Sequence, residues 1–190
     1  MPLKMKPIRR VVTGSDPDGR SKVLFDGPAP GVHVGKVAVS AGMTDVWVFD
    51  CPATITGDRD DGSLPFSFEP PDHGGHLRVV QSAGREPDYN PATDTSAVAL
   101  HPPKKRATSD TLDRGGQNAF SSPIHKSHSV DVGIMMEGER TLILDDGRYA
   151  MQPGDTVVQL GNWHGWTNPN QPSLMAFIMM GGSAEPDHDA

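Results

Sequence analysis

Histidine and aspartate side chains in the C-terminal half of the chain could bind a metal ion. His125, His128 and Asp131 lie close together in the sequence, and His164 follows on a later segment. Imidazole and carboxylate groups are donors that divalent Fe, Mn, Zn or Ni binds in proteins. Strands that are distant in the sequence can be neighbours in a sheet and bring such side chains together. The sequence therefore predicts one divalent metal site, with His125, His128, Asp131 and His164 as candidate ligands.

Short segments rich in Val and bounded by Gly, Pro or Asp surround these candidates, a pattern typical of strands. The last segment is apolar on both of its faces, so it is expected between the core and a second layer or a partner subunit. The predicted strands are residues 8–13, 21–25, 32–39, 44–49, 76–80, 130–136, 140–144, 149–151, 156–160 and 174–180.

The length of 190 residues suits one domain, in which the composition separates four segments. Residues 1–80 are interpreted as N-terminal strands that extend a barrel, and residues 81–123 as a polar loop or lid. Residues 124–182 form the expected core, and residues 183–190 a tail. A loop as long as residues 81–123 is uncommon in a compact domain and is usually functional or disordered.

Charge and cysteine content restrict the partners and the compartment. A net charge of -7 disfavours binding to nucleic acid, because an acidic surface repels phosphates. Cys51 is the only cysteine, so no intrachain disulfide can form, which favours a reducing, cytoplasmic location. Its position after an apolar run predicts a buried, small hydrophobic residue. No stretch approaches the roughly 18 apolar residues of a membrane span, so no membrane association is expected.

The C-terminal half resembles the cupin superfamily. Residues 154–168, GDTVVQLGNWHGWTN, resemble the second cupin motif, in which glycines, a proline, a histidine and an asparagine recur. Residues 136–139, MEGE, resemble the end of the first motif, where histidines and an acid precede the glycine. The segments 9–14, 19–21 and 26–30 resemble the opening of a subgroup of bacterial and fungal single-domain cupins.

This resemblance implies an all-β cupin barrel, a double-stranded β-helix of the jelly-roll type, with an N-terminal strand extension. It also implies a homodimer, since cupins commonly pair. Trp163 and Trp166 are then expected to pack at the barrel mouth. Most remaining histidines are expected at the surface or in loops, whereas His76 opens an apolar strand that could reach the pocket. The surface group consists of His33, His73, His101 and His188.

The family pattern implies His125, Asp131 and His164 as ligands, and Ser127 stands where a further histidine is expected. Side chains alternate along a strand, so in a regular strand His125, Ser127 and Asp131 face one way and His128 faces the other. A bulge before Asp131 would instead turn His128 inward, as a ligand or as the general base. The regular strand is favoured, because Asp131 and Gly138 keep the family spacing.

Two functions are consistent with these residues. The first is a metal-dependent enzyme that acts on a small oxygen-bearing molecule by dioxygenase, decarboxylase or isomerase chemistry, as the resemblance implies. The second is a binding or regulatory cupin without turnover, which the serine at position 127 favours. Both expect a small-molecule ligand in an apolar pocket with few polar groups.

Overall fold

A computed structural model of the protein describes residues 5–18, 20–34, 41–55, 57, 59–107, 109–168 and 170–183. Regular structure in this part of the chain is almost entirely β-strand, which confirms the predicted all-β class. Short 3-10 turns cover Asp61–Ser63 and Pro91–Thr93. The strands are β1 (Arg9–Ser15), β2 (Ser21–Pro28), β3 (Gly31–Val34), β4 (Gly42–Asp50), β5 (Gly74–Ser82), β6 (Lys104–Lys105), β7 (Leu112–Asp113), β8 (His125–Lys126), β9 (Ser129–Glu137), β10 (Arg140–Ile143), β11 (Arg148–Met151), β12 (Thr156–Leu160), β13 (Gly165–Thr167) and β14 (Ser173–Gly181).

The largest sheet has six strands in the order β12-β9-β14-β5-β4-β3, and all neighbouring strands are antiparallel. Its centre joins the two halves of the sequence, because β14 pairs with β9 on one side and with β5 on the other. The N-terminal strands β3, β4 and β5 therefore complete the sheet that the C-terminal strands begin.

The core lies between this sheet and a three-stranded sheet of order β11-β10-β13. Side chains alternate along each strand, so every second residue of β14 and β10 points into the space between the sheets. Trp166 from β13 meets Phe177 from β14 edge to face, with ring centroids 5.8 Å apart. The buried apolar cluster contains Met135, Leu142, Met151, Trp166, Met175, Phe177 and Met179.

The hairpin of β1 and β2 forms its own two-stranded sheet. Arg10 ties it to the rest of the protein, because its guanidinium is buried, donates to the Val46 carbonyl and forms an ion pair with Asp60. Near the N-terminus, the Gln81 side chain exchanges hydrogen bonds of 2.8 and 2.9 Å with the backbone of Lys6.

The polar segment 81–123 contains little regular structure, but its last part is fixed to β13. Asn168 donates its backbone N–H to the Phe120 carbonyl, and Ser122 and Trp166 exchange two hydrogen bonds. Ser121 donates to the Thr167 hydroxyl at 2.7 Å. The short strands β6 and β7 continue this layer in a sheet with β8.

The predicted strands in the described part of the chain begin and end within a few residues of the observed ones. The exception is the predicted strand 32–39, of which residues 35–39 lie outside the described residues. The strands that the sequence missed are β6, β7, β8 and β13, which are too short to display a period. The expectation that Cys51 is buried was wrong, because β4 ends at Asp50 and places Cys51 in an exposed bend.

Among the described residues, no helix is long and apolar enough to cross a membrane. The division into four segments and the cytoplasmic location stay predictions.

Gly138 ends β9 in a left-handed conformation that a side chain would disturb. Its φ is +75°, and an added Cβ would lie 2.1 Å from the Pro172 carbonyl oxygen. Gly154 also has a positive φ, +97°, but nothing lies within 4 Å of its added Cβ. We expect Gly154→Ala to cost about 1 kcal/mol from the backbone conformation alone. Gly138→Ala should cost about 2 kcal/mol more, because the backbone collision adds to it. Urea unfolding of both variants measures the difference, and equal losses would contradict the steric argument.

The outer face of the large sheet carries an apolar surface on which the predicted homodimer could pair. Six apolar side chains on β9, β12 and β14 are 37% to 59% exposed there: Val130, Ile134, Met136, Val158, Leu160 and Met180. We expect sedimentation equilibrium at micromolar protein to give twice the chain mass of 20.3 kDa. Val158→Lys should shift the protein toward monomer, whereas Ile55→Lys, at a 98% exposed position outside β9, β12 and β14, should not. A single species of 20.3 kDa in the wild type would reject the dimer.

Candidate active site

His125 and His164 form a pair of imidazoles whose ring centroids are 4.4 Å apart. Their backbones exchange hydrogen bonds of 2.9 and 3.0 Å as an isolated antiparallel bridge. Each Nδ1 lies near a backbone carbonyl, that of Pro123 at 2.9 Å and that of Asn162 at 3.0 Å. A carbonyl oxygen only accepts, so each Nδ1 carries the proton. Each Nε2 therefore has a free lone pair, which is the tautomer of metal-bound histidines.

Burial keeps both imidazoles neutral. It lowers the pKa of His125 to about 3, and the neighbouring His164 adds to this effect. Burial also lowers the pKa of His164, against the opposing hydrogen bond to the Asn162 carbonyl. The pair therefore offers acceptors at neutral pH.

Asp131 and Gln159 face each other across β9 and β12 and are both buried. Asp131 Oδ1 and both polar atoms of the Gln159 amide have no hydrogen-bond partner among the described residues. Burial raises the pKa of Asp131 to about 6, although a hydrogen bond from Ser129 opposes the shift. Buried polar atoms are nearly always satisfied, so these atoms indicate a site for a ligand group, an ion or water.

These polar groups line a cavity of about 300 Å³, which is at the small end of the usual range for ligand sites. Most of its wall is apolar, and residues 118–122 of the polar segment form one side. The lining includes Met43, Phe68, Val80, Phe120, Trp166, Phe177 and Met179 around His125, Asp131, Gln159, His164, Arg78 and Arg140.

The structure brings His125, Asp131 and His164 to this cavity but leaves His128 outside it. Burial alternates from residue 125 to residue 131, with Ser127 buried and His128 exposed. The strand is interrupted at residues 127–128, between β8 and β9, yet the interruption does not turn His128 inward. His128 instead lines a separate polar hollow, together with Glu69 and Asp110.

The predicted ligands suit a divalent metal in donor type and only partly in spacing. The free Nε2 atoms of His125 and His164 and the unpartnered Asp131 Oδ1 are the donors that such an ion prefers. Within the described ranges, however, no three His, Cys, Asp or Glu side chains lie close enough together to hold an ion. The metal site therefore stays a prediction.

The sequence did not single out Arg78, Arg140 or Gln159 as site residues. Charged residues in strands are usually exposed, so the arginines gave no signal of burial. For Gln159 the sequence offered a weak indication, because this glutamine stands near the place of the proline that the second cupin motif usually has. Its register opposite Asp131 became visible only with the sheet.

The positions expected for the two tryptophans and for the other histidines agree only in part with the structure. Trp166 is buried and lines the cavity, whereas Trp163 is half-buried beneath the Arg114 guanidinium. His76 is 2% exposed, with Nε2 3.1 Å from Met179 Sδ, but it does not line the cavity. His33 and His73 are exposed, His101 is half-buried, and His188 lies outside the described residues.

Known proteins similar to this chain include fungal cupins. The cupin-domain-containing oxidoreductase srdD of Neurospora crassa is 44% identical over 130 residues, which are 60% of this chain and 64% of that protein. The cupin-domain-containing oxidoreductase fogC of Aspergillus ruber is 36% identical over 64 residues, 31% of this chain and 32% of that protein. The chain thus covers less than two thirds of the length of these relatives.

Among solved structures, a Cupin 2 conserved barrel domain protein from Salinispora arenicola has a TM-score of 0.40 and 14% identity. That match covers 80% of this chain and 82% of the other. No protein-family model matches the chain. The chain is thus similar in sequence to cupin-domain-containing oxidoreductases, and its almost all-β structure agrees with the resemblance to the cupin superfamily.

The raised pKa of Asp131 gives a stability signature for metal-free protein. A carboxyl whose folded-state pKa is raised is stabilising in its protonated form, and this contribution is lost as the pH rises through the folded value. As the pH rises from 3.8 to about 6, ionisation of Asp131 should lower the free energy of unfolding of the metal-free protein by about 3 kcal/mol at most. Asp131→Asn removes this cost, so it should raise the Tm of chelator-treated protein at pH 7.5 and change it little at pH 4.

Ser129→Ala is the matched comparison, because it removes a group that favours the ionised form. This variant should lower the Tm at pH 7.5. An Asp131→Asn protein that melts below the wild type at pH 7.5 would contradict the buried, poorly satisfied carboxylate.

Proposed function

We propose that this cupin is an oxidoreductase that acts on a small, largely apolar molecule and uses a divalent metal ion. The observation that carries the proposal is the set of unpartnered acceptors at one apolar cavity: the Nε2 atoms of His125 and His164 and Oδ1 of Asp131. Among the reaction types implied by the family resemblance, the names of the relatives favour an oxidoreductase, such as a dioxygenase, over a decarboxylase or an isomerase.

His125, His164 and Asp131 would hold the ion, which when bound would supply Lewis acidity toward a substrate oxygen. The protein supplies orientation. The backbone bridge between the histidines and the bonds from each Nδ1 to a carbonyl fix both rings, so their lone pairs are set before a ligand arrives. Little conformational entropy is then lost at these side chains on binding.

Without the ion, Asp131 can hold or release a proton at its carboxylate near neutral pH, because burial sets its pKa to about 6. As a ligand of the ion it would stay ionised and would not act as a general base. The Gln159 amide across the strand pair offers a donor and an acceptor to the same substrate group. The apolar walls around them exclude water, which strengthens these polar contacts.

Elemental analysis of protein purified without an affinity tag tests the metal. We expect close to one Fe, Mn, Zn or Ni per chain in the wild type and in His73→Ala, an exposed histidine away from the cavity. His164→Ala should lose the metal, with circular dichroism used to check the fold. His128→Ala should keep it, because the His128 side chain lies outside the cavity. Wild-type protein without metal, under conditions in which it is folded, would reject the metal-dependent form of the proposal.

A second candidate is a binding cupin that has no turnover. It is favoured by Ser127, which is buried against Ser129 and takes the position of a family histidine, and by the spacing of the described donors. Under this alternative the wild type contains no metal but still binds small apolar molecules in the cavity. Metal analysis and ligand calorimetry on the same sample therefore separate the two functions.

A further inference from the structure

Arg140 is a buried arginine that no carboxylate neutralises among the described residues. It is 2% exposed, and its hydrogen bonds go to neutral acceptors. Nε lies 3.2 Å from both Asn168 Oδ1 and Ser173 Oγ. Nη2 lies 2.8 Å from Ser82 Oγ, 3.0 Å from Ser173 Oγ and 3.5 Å from the Val80 carbonyl oxygen.

The other buried arginines in the described part of the chain differ in this respect. Arg78 donates to both carboxylate oxygens of Asp45, at 2.6 and 3.2 Å, and its other bonds go to backbone carbonyls. Arg10 is paired with Asp60. A buried charge without a counter-ion is unfavourable, and the protein avoids this cost at Arg78 and Arg10 but not at Arg140.

Arg140 nevertheless stays charged at neutral pH. Burial lowers its pKa to about 10, and no carboxylate contributes to the shift. A guanidinium with this pKa is protonated throughout the physiological range. The cation therefore persists beside the cavity, of which Arg140 is a lining residue.

One edge of the guanidinium is open toward a ligand. None of the hydrogen bonds to described residues uses Nη1. An Nη1 atom that lacked both a partner and accessible surface would be a fully enclosed, unpartnered atom. Nη1 is not one of these atoms in the described part of the chain, so part of its surface is accessible. Because Arg140 is almost wholly shielded from bulk solvent and lines the cavity, that surface faces the cavity.

We infer that Arg140 is the anchor for a carboxylate on the molecule that this cavity binds. The inference rests on the proposed function for the reacting end of that molecule, near His125 and Asp131. The two ends are separated along β14, since Ser173 contacts Arg140 and Met179 is the cross-strand neighbour of Asp131. Met175 and Phe177, the inward residues between them, are apolar. The ligand class is thus a small acid with a carboxylate at one end, an apolar body and the reacting group at the other end.

A carboxylate fits this anchor better than a phosphate does. Nε and Nη2 already donate to described residues, so Nη1 is the nitrogen that can donate its two N–H groups to a single carboxylate. A phosphate dianion needs several donors, whereas Arg78, the other arginine of the lining, is already paired with Asp45. The surrounding wall is mostly apolar, which suits a ligand with a single charged group.

The test is calorimetric binding of 4-phenylbutyrate, 4-phenylbutyramide and 4-phenylbutan-1-ol at pH 7.5. These probes share an apolar body and differ in the terminal group. A charge-assisted hydrogen bond should make the acid bind about tenfold or more tightly than the amide in the wild type. Arg140→Gln should remove that preference and leave the affinity for the alcohol within about threefold of wild type. The control is Arg148→Gln, at an exposed position on β11, which should keep the preference.

Several results would overturn the assignment. Wild-type protein that binds the amide and the alcohol as tightly as the acid would reject the carboxylate anchor but leave the proposed ligand cavity standing. Failure of all three probes to bind would reject the anchor and count against the ligand cavity as well. Persistence of the preference in folded Arg140→Gln would place the anion elsewhere. Arg140 also supports Asn168 and Ser173, so Arg140→Gln could unfold. In that event the wild-type ranking and a reduced preference in Arg140→Lys decide the question, and an unchanged preference in Arg140→Lys counts against a role for the guanidinium Nη1.

Discussion

Strand β14 forms hydrogen bonds with β5 along one edge and with β9 along the other, and these two ladders join the halves of the chain. Its inward side chains Met175, Phe177 and Met179 belong to the central apolar cluster. Because the register of β14 is fixed on both edges, Met179 lies between His76 and Asp131. A slip of one residue would turn the whole inward face outward, so the cavity depends on this register.

The same register buries polar atoms at positions where their burial is energetically unfavourable. Asp131 and Gln159 are buried, their free atoms find no partner among the described residues, and Arg140 is a cation without a carboxylate. Stability alone would favour apolar side chains at these positions. Proteins keep such groups mainly where binding or catalysis needs them. Arg78 lines the same cavity and is paired with Asp45, so the other buried arginine of the lining does have a counter-charge.

Much of the fold could be predicted from the sequence, because the strands of the core have short apolar runs bounded by turn residues. The strand 156–160 was predicted with the bounds that the structure has. Alternation also gave the orientation of His128, since the burial of residues 125–131 follows a period of two. In contrast, β8 and β13 are very short and are defined by the strands with which they pair, so no local sequence pattern predicted them. The bridge between His125 and His164 arises from these two segments and needed the tertiary structure.

The site residues that the sequence missed share a physical cause. Arg140 follows the turn after β9, and an arginine at such a place usually points into solvent. Here β10 is covered by β14 and β5, and the guanidinium turns inward to Ser82 and Ser173. Arg140 is recognised as a candidate site residue only from its burial and its lack of a counter-charge, and neither can be read from the local sequence.

The two unpaired charges of the cavity also constrain what can fill it. Asp131 favours a cation or a proton at its end, and Arg140 favours an anion at the other end. Because Met175 and Phe177 lie between them, the charges are kept from neutralising each other by direct contact. A ligand that satisfies both ends must therefore be polar at its termini and apolar in its middle, and its acidic end must lie at Arg140. Without a bound cation, the reverse orientation would bring two negative charges together at Asp131 in an apolar environment, where their repulsion is screened least. The charge pattern of the metal-free cavity thus favours the proposed orientation, in which the reacting end of the molecule would lie beside the imidazole pair.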